Sequence, residues 1–242
     1  QIVYYVSAYC EMLNKGEIKP GDGINVVVPT GNFGNILAAY YAKEMGVPIK
    51  KLVCASNANN VLTDFLKTGT YNRIRDFYTT VSPSMDILIV REWMGELSAK
   101  GSYKVSDDVF AKLTELFDAG SCDDNGTKAC IAKEFKEHKY LCDTHTAVAV
   151  SVYEDYAERT GDTTPTVIAS TANPFKFSKA VLDAVHPGMT ENLDEFEMVH
   201  ALHDETGEVC PPQLANLKGK TPRFTGCCKK EDMEQVVFDL LK

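Results

Sequence analysis

The sequence predicts an α/β protein in which helices flank a mostly parallel sheet. Short runs of apolar, β-branched residues at 24–28 and 166–169 are typical of strands buried on both faces of a sheet. Stretches with apolar residues at helical spacing stand between such runs. Because parallel strands need a crossover connection, usually a helix, this alternation of strands and helices indicates parallel strand order.

Composition and charge limit the class of function. The 242-residue chain has 44% hydrophobic and 24% charged residues, the balance of an ordinary globular protein. Its net charge of −9 predicts no nucleic acid and no anionic membrane as partners. No apolar run reaches the roughly 20 residues of a membrane span. The chain starts without Met or a basic signal-peptide region, so we expect a fragment of a longer, cytoplasmic protein.

The cysteines and histidines predict no metal site. Eight cysteines are present, and none forms a Cys-x-x-Cys pair, which indicates reduced thiols rather than disulfides or zinc ligands. The five histidines show no metal-ligand spacing supported by nearby cysteine. His200 and His203 form the only close pair, and a solvated helix face explains them.

The first elements make up one strand–helix–strand unit. Residues 2–13 are apolar nearly all round and predict a helix buried on several sides. Glycine, proline and asparagine within 14–23 indicate a loop, which leads to the strand at 24–28. A helix with one apolar face follows and is ended by Gly46. A short loop then leads to a second strand at 52–55.

The rest of the chain continues the alternation. Residues 61–68 predict a helix. Residues 109–117 predict another, with Ser106 or Asp107 as N-cap and Gly120 beyond its end. Further helices are predicted at 144–159, 177–185, 193–204 and 231–241, and a third buried strand at 166–169.

A loop rich in glycine and asparagine lies between the first predicted strand and its helix. Glycine permits positive φ, so successive N–H groups can face one concavity, and the helix start adds unpaired N–H groups and partial positive charge. The loop is therefore predicted to bind an anion, most naturally a phosphate. Because it contains no Lys or Arg, a phosphate monoester fits better than a triphosphate. Its residues are Gly31, Asn32, Phe33, Gly34 and Asn35.

Two other interpretations of this loop stay open. In a tight strand-to-helix turn, Gly and Asn would serve backbone geometry alone. Dinucleotide binding is the weaker alternative, because Gly-x-Gly-x-x-Gly is absent. The next strand also ends in Ser56 and Asn57 rather than in an acidic residue that would bind a ribose.

Six segments, in the same order along the chain, resemble threonine synthase of the fungal and enterobacterial kind. The loop Pro-Thr-Gly-Asn-Phe-Gly-Asn is similar to that family's cofactor-phosphate motif. A collinear series of this kind is more specific than any single motif. The six segments lie at residues 29–35, 55–60, 65–71, 82–87, 143–148 and 169–177.

The resemblance implies a pyridoxal 5′-phosphate (PLP) enzyme of fold type II, with the fold of the tryptophan synthase β subunit. The family is a carbon–oxygen lyase that converts O-phospho-L-homoserine and water to L-threonine and phosphate. Residues 31–35 would hold the cofactor phosphate, and Thr171 would face the pyridine nitrogen. Thr171 could instead cap the following helix. The residues implied near the substrate are Ser84, Asp86, His145 and Lys176.

Helix capping alone could account for several of these candidates. Ser84 and Asp86 could cap a helical segment that starts near Met85. Asp143 and His145 could form an orienting pair, or they could simply begin a helix.

The resemblance also implies that the nucleophile lies outside this chain. The family's Schiff-base lysine stands in its N-terminal half, in a Phe-Lys-Asp context that this sequence lacks. Lys176 does not match that position, so no catalytic residue is predicted here. Residues 1–242 are then the C-terminal part of the PLP-binding α/β domain, with a helical extension at about 187–242, and the N-terminal half of the enzyme is the partner. The alternative is a non-catalytic threonine synthase-like protein that binds a phosphorylated small molecule.

Three local departures from the family's pattern remain. Asn60 stands where the family usually has Asp, which would alter a helix cap. Thr144 replaces a proline at a helix entrance. The chain runs Val-Arg-Glu-Trp at 90–93, where the family usually has a longer stretch. Either a deletion or consecutive numbering across missing residues would explain this last difference.

Overall fold

A four-stranded parallel sheet forms the centre of the protein. The computed structural model describes residues 1–88 and 101–241, so the departure at 90–93 lies outside the described residues. The sheet order is β5–β2–β1–β6, and a separate antiparallel pair joins β3 to β4. The predicted parallel sheet is confirmed. The strands are β1 Ile24–Pro29, β2 Ile49–Ser56, β3 Thr70–Asn72, β4 Ser102–Lys104, β5 Phe117–Ser121 and β6 Thr166–Ile168.

Helices connect the strands and cover both faces of the sheet. Strand β1 leads through one helix to its parallel neighbour β2, as the sequence predicts. No helix within the described ranges is long and apolar enough to cross a membrane. The helices are α1 Ile2–Lys15, α2 Gly34–Glu44, α3 Val61–Thr68, α4 Asp107–Leu116, α5 Asp124–His138, α6 Thr144–Thr160, α7 Ser178–Val185, α8 Glu195–Thr206, α9 Pro212–Ala215 and α10 Met233–Leu240.

Alternate residues of the central strand point to opposite faces and build two cores. Val26 and Val28 pack in a cluster with residues of α1, α2 and α3 on one face of the sheet. Val27 packs on the other face with residues of α6, among them Val148 and Val152. Since β1 is buried on both faces, its sequence does not alternate, and all its residues except Asn25 are apolar.

A third core lies among helices beyond the sheet. Ile131 of α5, Leu182 of α7 and Leu202 of α8 are all fully buried in one cluster. The last helix, α10, has no buried residue among those described. The extension predicted at about 187–242 therefore contains helices, of which α8 packs on the rest of the chain.

The first helix is buried on one side only, so the prediction of burial on several sides is wrong. Tyr5 and Tyr9, one helical turn apart, are its buried residues. Val3 and Tyr4 are 66% and 63% exposed. An apolar sequence thus does not show by itself which side of a helix is covered within the chain.

Strand β5 and helix α5 are two elements that the sequence did not predict. The helix predicted at 109–117 is α4, whose C-cap Phe117 is also the first residue of β5, and Gly120 is no stop signal because it lies within β5. A Cβ on Gly120 would lie 2.7 Å from Cγ1 of Val152, so close packing of α6 requires glycine there. Small and acidic residues in this strand hide the β-branched pattern on which the prediction depended. Strand β6, predicted to be buried, is only half-buried.

Candidate functional site

The candidate site lies where the strand order of the sheet reverses. From β1 the chain proceeds to β2 and then β5 on one side, whereas β6 pairs with the other side of β1. In parallel α/β sheets, ligands bind at the carboxyl ends of strands at such a point. A pocket of about 290 Å³ opens there. It is lined by Gln1, Pro29, Thr30, Gly31, Asn32, Phe33, Gly34, Asn35, Ser84, Met85, His145 and Thr171.

The loop after β1 leaves a row of backbone donors without acceptors. Among the described residues, no group accepts a hydrogen bond from the backbone N–H groups of residues 31–36. Phe33 is the N-cap of α2, and its side chain makes no capping bond. Its φ of 66° is left-handed, which costs a non-glycine residue about 1–3 kcal/mol and is typical of functional sites. Unpaired N–H groups at a helix start are of the kind that binds anions in other proteins.

Different features account for the glycine at each of the two glycine positions of the loop. A Cβ on Gly31 would lie 2.6 Å from the carbonyl oxygen of Ser84, so the fold itself requires glycine there. A Cβ on Gly34 would have nothing closer than 3.9 Å, and Gly34 has no positive φ. Neither packing nor backbone strain within the described chain explains the glycine at 34. A group bound against the first turn of α2 would explain it, so the loop fits the phosphate of a cofactor.

Tyr5 of α1 orients a side chain of this loop. Its hydroxyl donates to Oδ1 of Asn35 over 2.7 Å and also contacts the backbone oxygen of Asn35. With Oδ1 occupied, the Asn35 Nδ2 group is left as a donor at the pocket wall. Burial raises the pKa of Tyr5, so its hydroxyl stays protonated. Tyr5 was not predicted as a site residue, although its spacing from Tyr9 marks the buried face of α1.

A buried histidine joins the start of α6 to the opposite wall. His145 Nε2 accepts a hydrogen bond from the backbone N–H of Ser84 over 3.2 Å. Its Nδ1 lies 3.0 Å from Oδ1 of Asp143, the N-cap of α6. Burial tends to raise the Asp143 pKa, but hydrogen bonds from His145 and Thr146 outweigh it, and the pKa is lowered. Asp143 and His145 thus both begin a helix and form a hydrogen-bonded pair.

The carboxylate of Asp86 takes part in hydrogen bonds within the protein and does not line the pocket. Its carboxylate accepts hydrogen bonds from the side chains of Asn57, Asn59 and Thr80. These bonds anchor the segment that carries Ser84. Ser84 lines the pocket, and its hydroxyl has no partner among the described residues. The structure therefore brings Ser84 to the site but not Asp86.

Thr171 lines the pocket, whereas Lys176 does not. The Thr171 hydroxyl has no hydrogen bond in the described chain, and Asn173 caps the next helical turn by accepting from the Phe175 N–H. The prediction that Thr171 could cap this turn is therefore wrong. Lys176 lines a separate cavity of about 490 Å³. No Lys or Arg is among the described residues that line the first pocket.

Other predicted details have structural outcomes as well. Asn60 is the N-cap of α3 but makes no side-chain cap; its Oδ1 accepts from Nη1 of Arg75 over 3.0 Å instead. Thr144 is the first residue of α6, and Asp143 is its cap. All eight cysteines are free thiols. Within the described ranges, no three His, Cys, Asp or Glu residues cluster as metal ligands.

Comparison with known proteins identifies similar sequences and structures. A family model described as threonine synthase, C-terminal, matches residues 146–237. The human protein threonine synthase-like 1 is 40% identical over 205 residues, which make up 76% of this chain and 27% of that protein. Similarity to two crystal structures, both of threonine synthases, confirms the predicted α/β fold class.

Both of these structures are of threonine synthases. The PLP-bound enzyme from Brucella melitensis is 35% identical, with a TM-score of 0.67 over 76% of this chain and 41% of its own. The yeast enzyme is 28% identical, with a TM-score of 0.79 over 99% of this chain and 51% of its own. The chain thus spans about a quarter of the human relative's length and about half of the yeast enzyme's.

Proposed function

This chain is homologous to threonine synthases and corresponds to their C-terminal portion, and on that premise we propose that it supplies the cofactor-phosphate site of such an enzyme. The reaction is the conversion of O-phospho-L-homoserine and water to L-threonine and phosphate. The observation that carries the proposal is the row of free N–H groups at residues 31–36, at the start of α2. The chain spans about half of the yeast enzyme, so the N-terminal half is the proposed partner.

The proposal gives each part of the pocket a role. Backbone N–H groups of residues 31–35 bind the phosphate of PLP, and the free Nδ2 of Asn35 adds a donor. The Thr171 hydroxyl, which has no bond in the described chain and lines the pocket, would face the cofactor ring. Bound PLP supplies an electron sink for proton removal from the substrate. Similarity to the PLP-bound enzyme from Brucella melitensis supports this choice of cofactor.

The chain's own residues bind and orient, and the proposal assigns the nucleophile to the N-terminal half. No Lys is among the described residues at the pocket wall, and Lys176 lies at a different cavity. The side chain of Ser84 is a free hydroxyl at the wall and could contact the substrate. The isolated chain is therefore proposed to bind phosphate esters without turning over substrate. A cytoplasmic location is part of the same proposal.

A binding experiment tests the phosphate site without the nucleophile. Pyridoxine 5′-phosphate carries the ring and the phosphate of PLP but no aldehyde, so surface lysines cannot capture it. Titration calorimetry on the 242-residue chain should detect this ligand and not pyridoxine, and inorganic phosphate should compete. Equal affinity for pyridoxine and its phosphate, or no binding of either, would contradict the proposed site.

A second experiment tests the division of the enzyme. The chain alone should release no phosphate from O-phospho-L-homoserine, and addition of the N-terminal half with PLP should start both phosphate release and threonine formation. Phosphate release by the chain alone would show that the nucleophile is here after all.

A non-catalytic protein is the second candidate function. The 40% identity to human threonine synthase-like 1 favours it, because a protein described as synthase-like is among the similar sequences. Such a protein would use the same pocket for a phosphorylated small molecule. It is distinguished by binding of pyridoxine 5′-phosphate together with no threonine formation when the complete protein is assayed.

A further inference from the structure

The imidazole of His145 is held in one tautomer by bonds at both nitrogens. The ring is 3% exposed. Nε2 accepts from the Ser84 N–H, so the proton of a neutral ring resides on Nδ1 and is donated to Asp143. Phe177 contacts the ring with its centroid 4.8 Å away. The side chain is therefore fixed in position and in tautomer.

Asp143 is itself fixed as a charged acceptor. It is buried, and its Oδ1 accepts from the backbone N–H of His145 over 2.8 Å. Its Oδ2 accepts from the hydroxyl of Thr146. Because these bonds outweigh burial and lower its pKa, the carboxylate remains ionised and keeps the Nδ1 proton of His145 directed to it.

The segment at 82–86 is anchored on two sides. Asp86 attaches one side to Asn57 and Asn59 at the end of β2. On the pocket side, the backbone N–H of Ser84 is held by His145. The Ser84 carbonyl and the Met85 Cα lie where a side chain on Gly31 would stand, at 2.6 and 3.2 Å from its Cβ.

We propose that His145 is a positioning residue, whose neutral ring holds Ser84 against the glycine loop and so fixes the geometry of the phosphate site. The inference rests on the proposed function, because it deepens the role of the same pocket. Loss of the Nε2 acceptor frees the pocket side of the 82–86 segment while Asp86 still holds the other side. The loop at residues 31–35 then loses one of its walls without loss of the fold.

Two substitutions at this position separate the two bonds of the ring. In His145→Gln, the side-chain oxygen can take the place of Nε2 and accept from the Ser84 N–H. In His145→Asn, the shorter amide can take the place of Nδ1 and donate to Asp143, but it cannot reach Ser84. Replacement of His186 by Asn is the matched control, because its half-exposed ring contacts Glu205 and does not line the pocket.

The first readout is the affinity for pyridoxine 5′-phosphate of the 242-residue chain. Loss of one hydrogen bond at a buried group typically weakens an equilibrium about tenfold. We expect this loss in His145→Asn, with affinity retained in His145→Gln and in the His186 variant. The second readout, measured without ligand, is amide hydrogen exchange at Ser84. It should be slow in the wild type and His145→Gln, and about tenfold faster in His145→Asn.

The outcomes distinguish this inference from the proposed function. If the wild type binds pyridoxine 5′-phosphate and the Gln and Asn variants weaken it equally, His145 is structural only and the inference is wrong. Unchanged Ser84 exchange in His145→Asn would also contradict it, whatever the affinity. If the wild type binds no phosphate ester, the proposed function fails first and the inference fails with it.

Discussion

Two loops leave neighbouring strands at the same edge of the sheet and use similar residues in opposite ways. The loop after β1 and the loop after β2 both contain asparagines and both lead into a helix. In the first, the backbone N–H groups of residues 31–36 find no acceptor in the described chain. In the second, Asn57 and Asn59 donate to Asp86 and to neighbouring groups of the 78–82 segment.

The difference comes from what covers each loop. The segment at 78–86 folds over the end of β2 and supplies acceptors to that loop, among them Oδ1 of Asp86 and the backbone oxygen of Tyr78. At β1 the same segment lies against Gly31, and the start of α2 lines the pocket. Asparagine-rich turns therefore do not indicate a binding site by themselves. A binding site requires donors that the rest of the chain leaves free.

Asp86→Ala removes an acceptor that holds the loop after β2, the covered loop, and should have the largest effect of the substitutions on stability. It leaves the buried Asn57 and Asn59 and the half-buried Thr80 without their shared acceptor, so the free energy of unfolding should fall by about 2–4 kcal/mol. Urea denaturation measures it. The exposed Asp76 provides the control, since its replacement by Ala should change stability by less than about 0.5 kcal/mol. Equal effects at the two positions would mean that the network contributes little.

Gly34→Ala tests the loop after β1, the open loop. Its effects on stability and on ligand affinity should have opposite signs. Among the described residues, the new methyl group meets only the side-chain oxygen of Gln1, at 3.9 Å, and alanine favours the helix by up to about 1 kcal/mol, so stability should hold or rise. The same methyl group occupies space beside the first turn of α2, so affinity for pyridoxine 5′-phosphate should fall at least about tenfold. Thermal unfolding and calorimetry measure the two effects.

The control for this substitution is Gly226→Ala, since that glycine also has open surroundings and no positive φ but lies away from the pocket. It should leave the affinity unchanged. If Gly34→Ala also left the affinity unchanged, the ligand would not approach the start of α2.

Tyr5→Phe sharpens the role of the side chain beside the open loop. Removal of the hydroxyl frees the Asn35 amide to rotate, so we expect about fivefold weaker binding of pyridoxine 5′-phosphate, the value of one ordinary hydrogen bond. Tyr9→Phe is the matched control, because the Tyr9 hydroxyl also lies on the buried face of α1 but bonds to Asp22 and Gly21. A drop in affinity for both variants would point to the helix as a whole rather than to Asn35.

Asn60→Asp should have the smallest effect, at the end of the covered loop. The Asn60 oxygen already accepts from Arg75, and a carboxylate there adds charge to that bond and to the start of α3. Stability should rise by about 0.5 kcal/mol at low salt and less in 1 M salt. A loss of stability would mean that repulsion from Asp64, which shares Arg75, is the stronger effect.

The sequence is enough to predict the first strand–helix–strand unit and its loop, because those signals are local. Short segments of sequence are enough to recognise the apolar strands β1 and β2 and the loop that contains the glycines at 31 and 34. Strand β5 was missed because its residues after Phe117 are small or acidic and become a strand only beside β2. The bond between His145 and Ser84 joins positions far apart in the chain, and no periodicity predicts it.

The pairing of β1 with β6 indicates at which stage of folding the pocket is completed. Asn25 pairs with Thr166, so most of the chain lies between two adjacent strands. Contacts of such long sequence separation form slowly, because a large loop must close first. During synthesis, the glycine loop at residues 31–35 is made before its opposite wall at Thr171. Ligand binding therefore reports on a chain that has completed its sheet, and a phosphate ester that binds only this state would stabilise it by mass action.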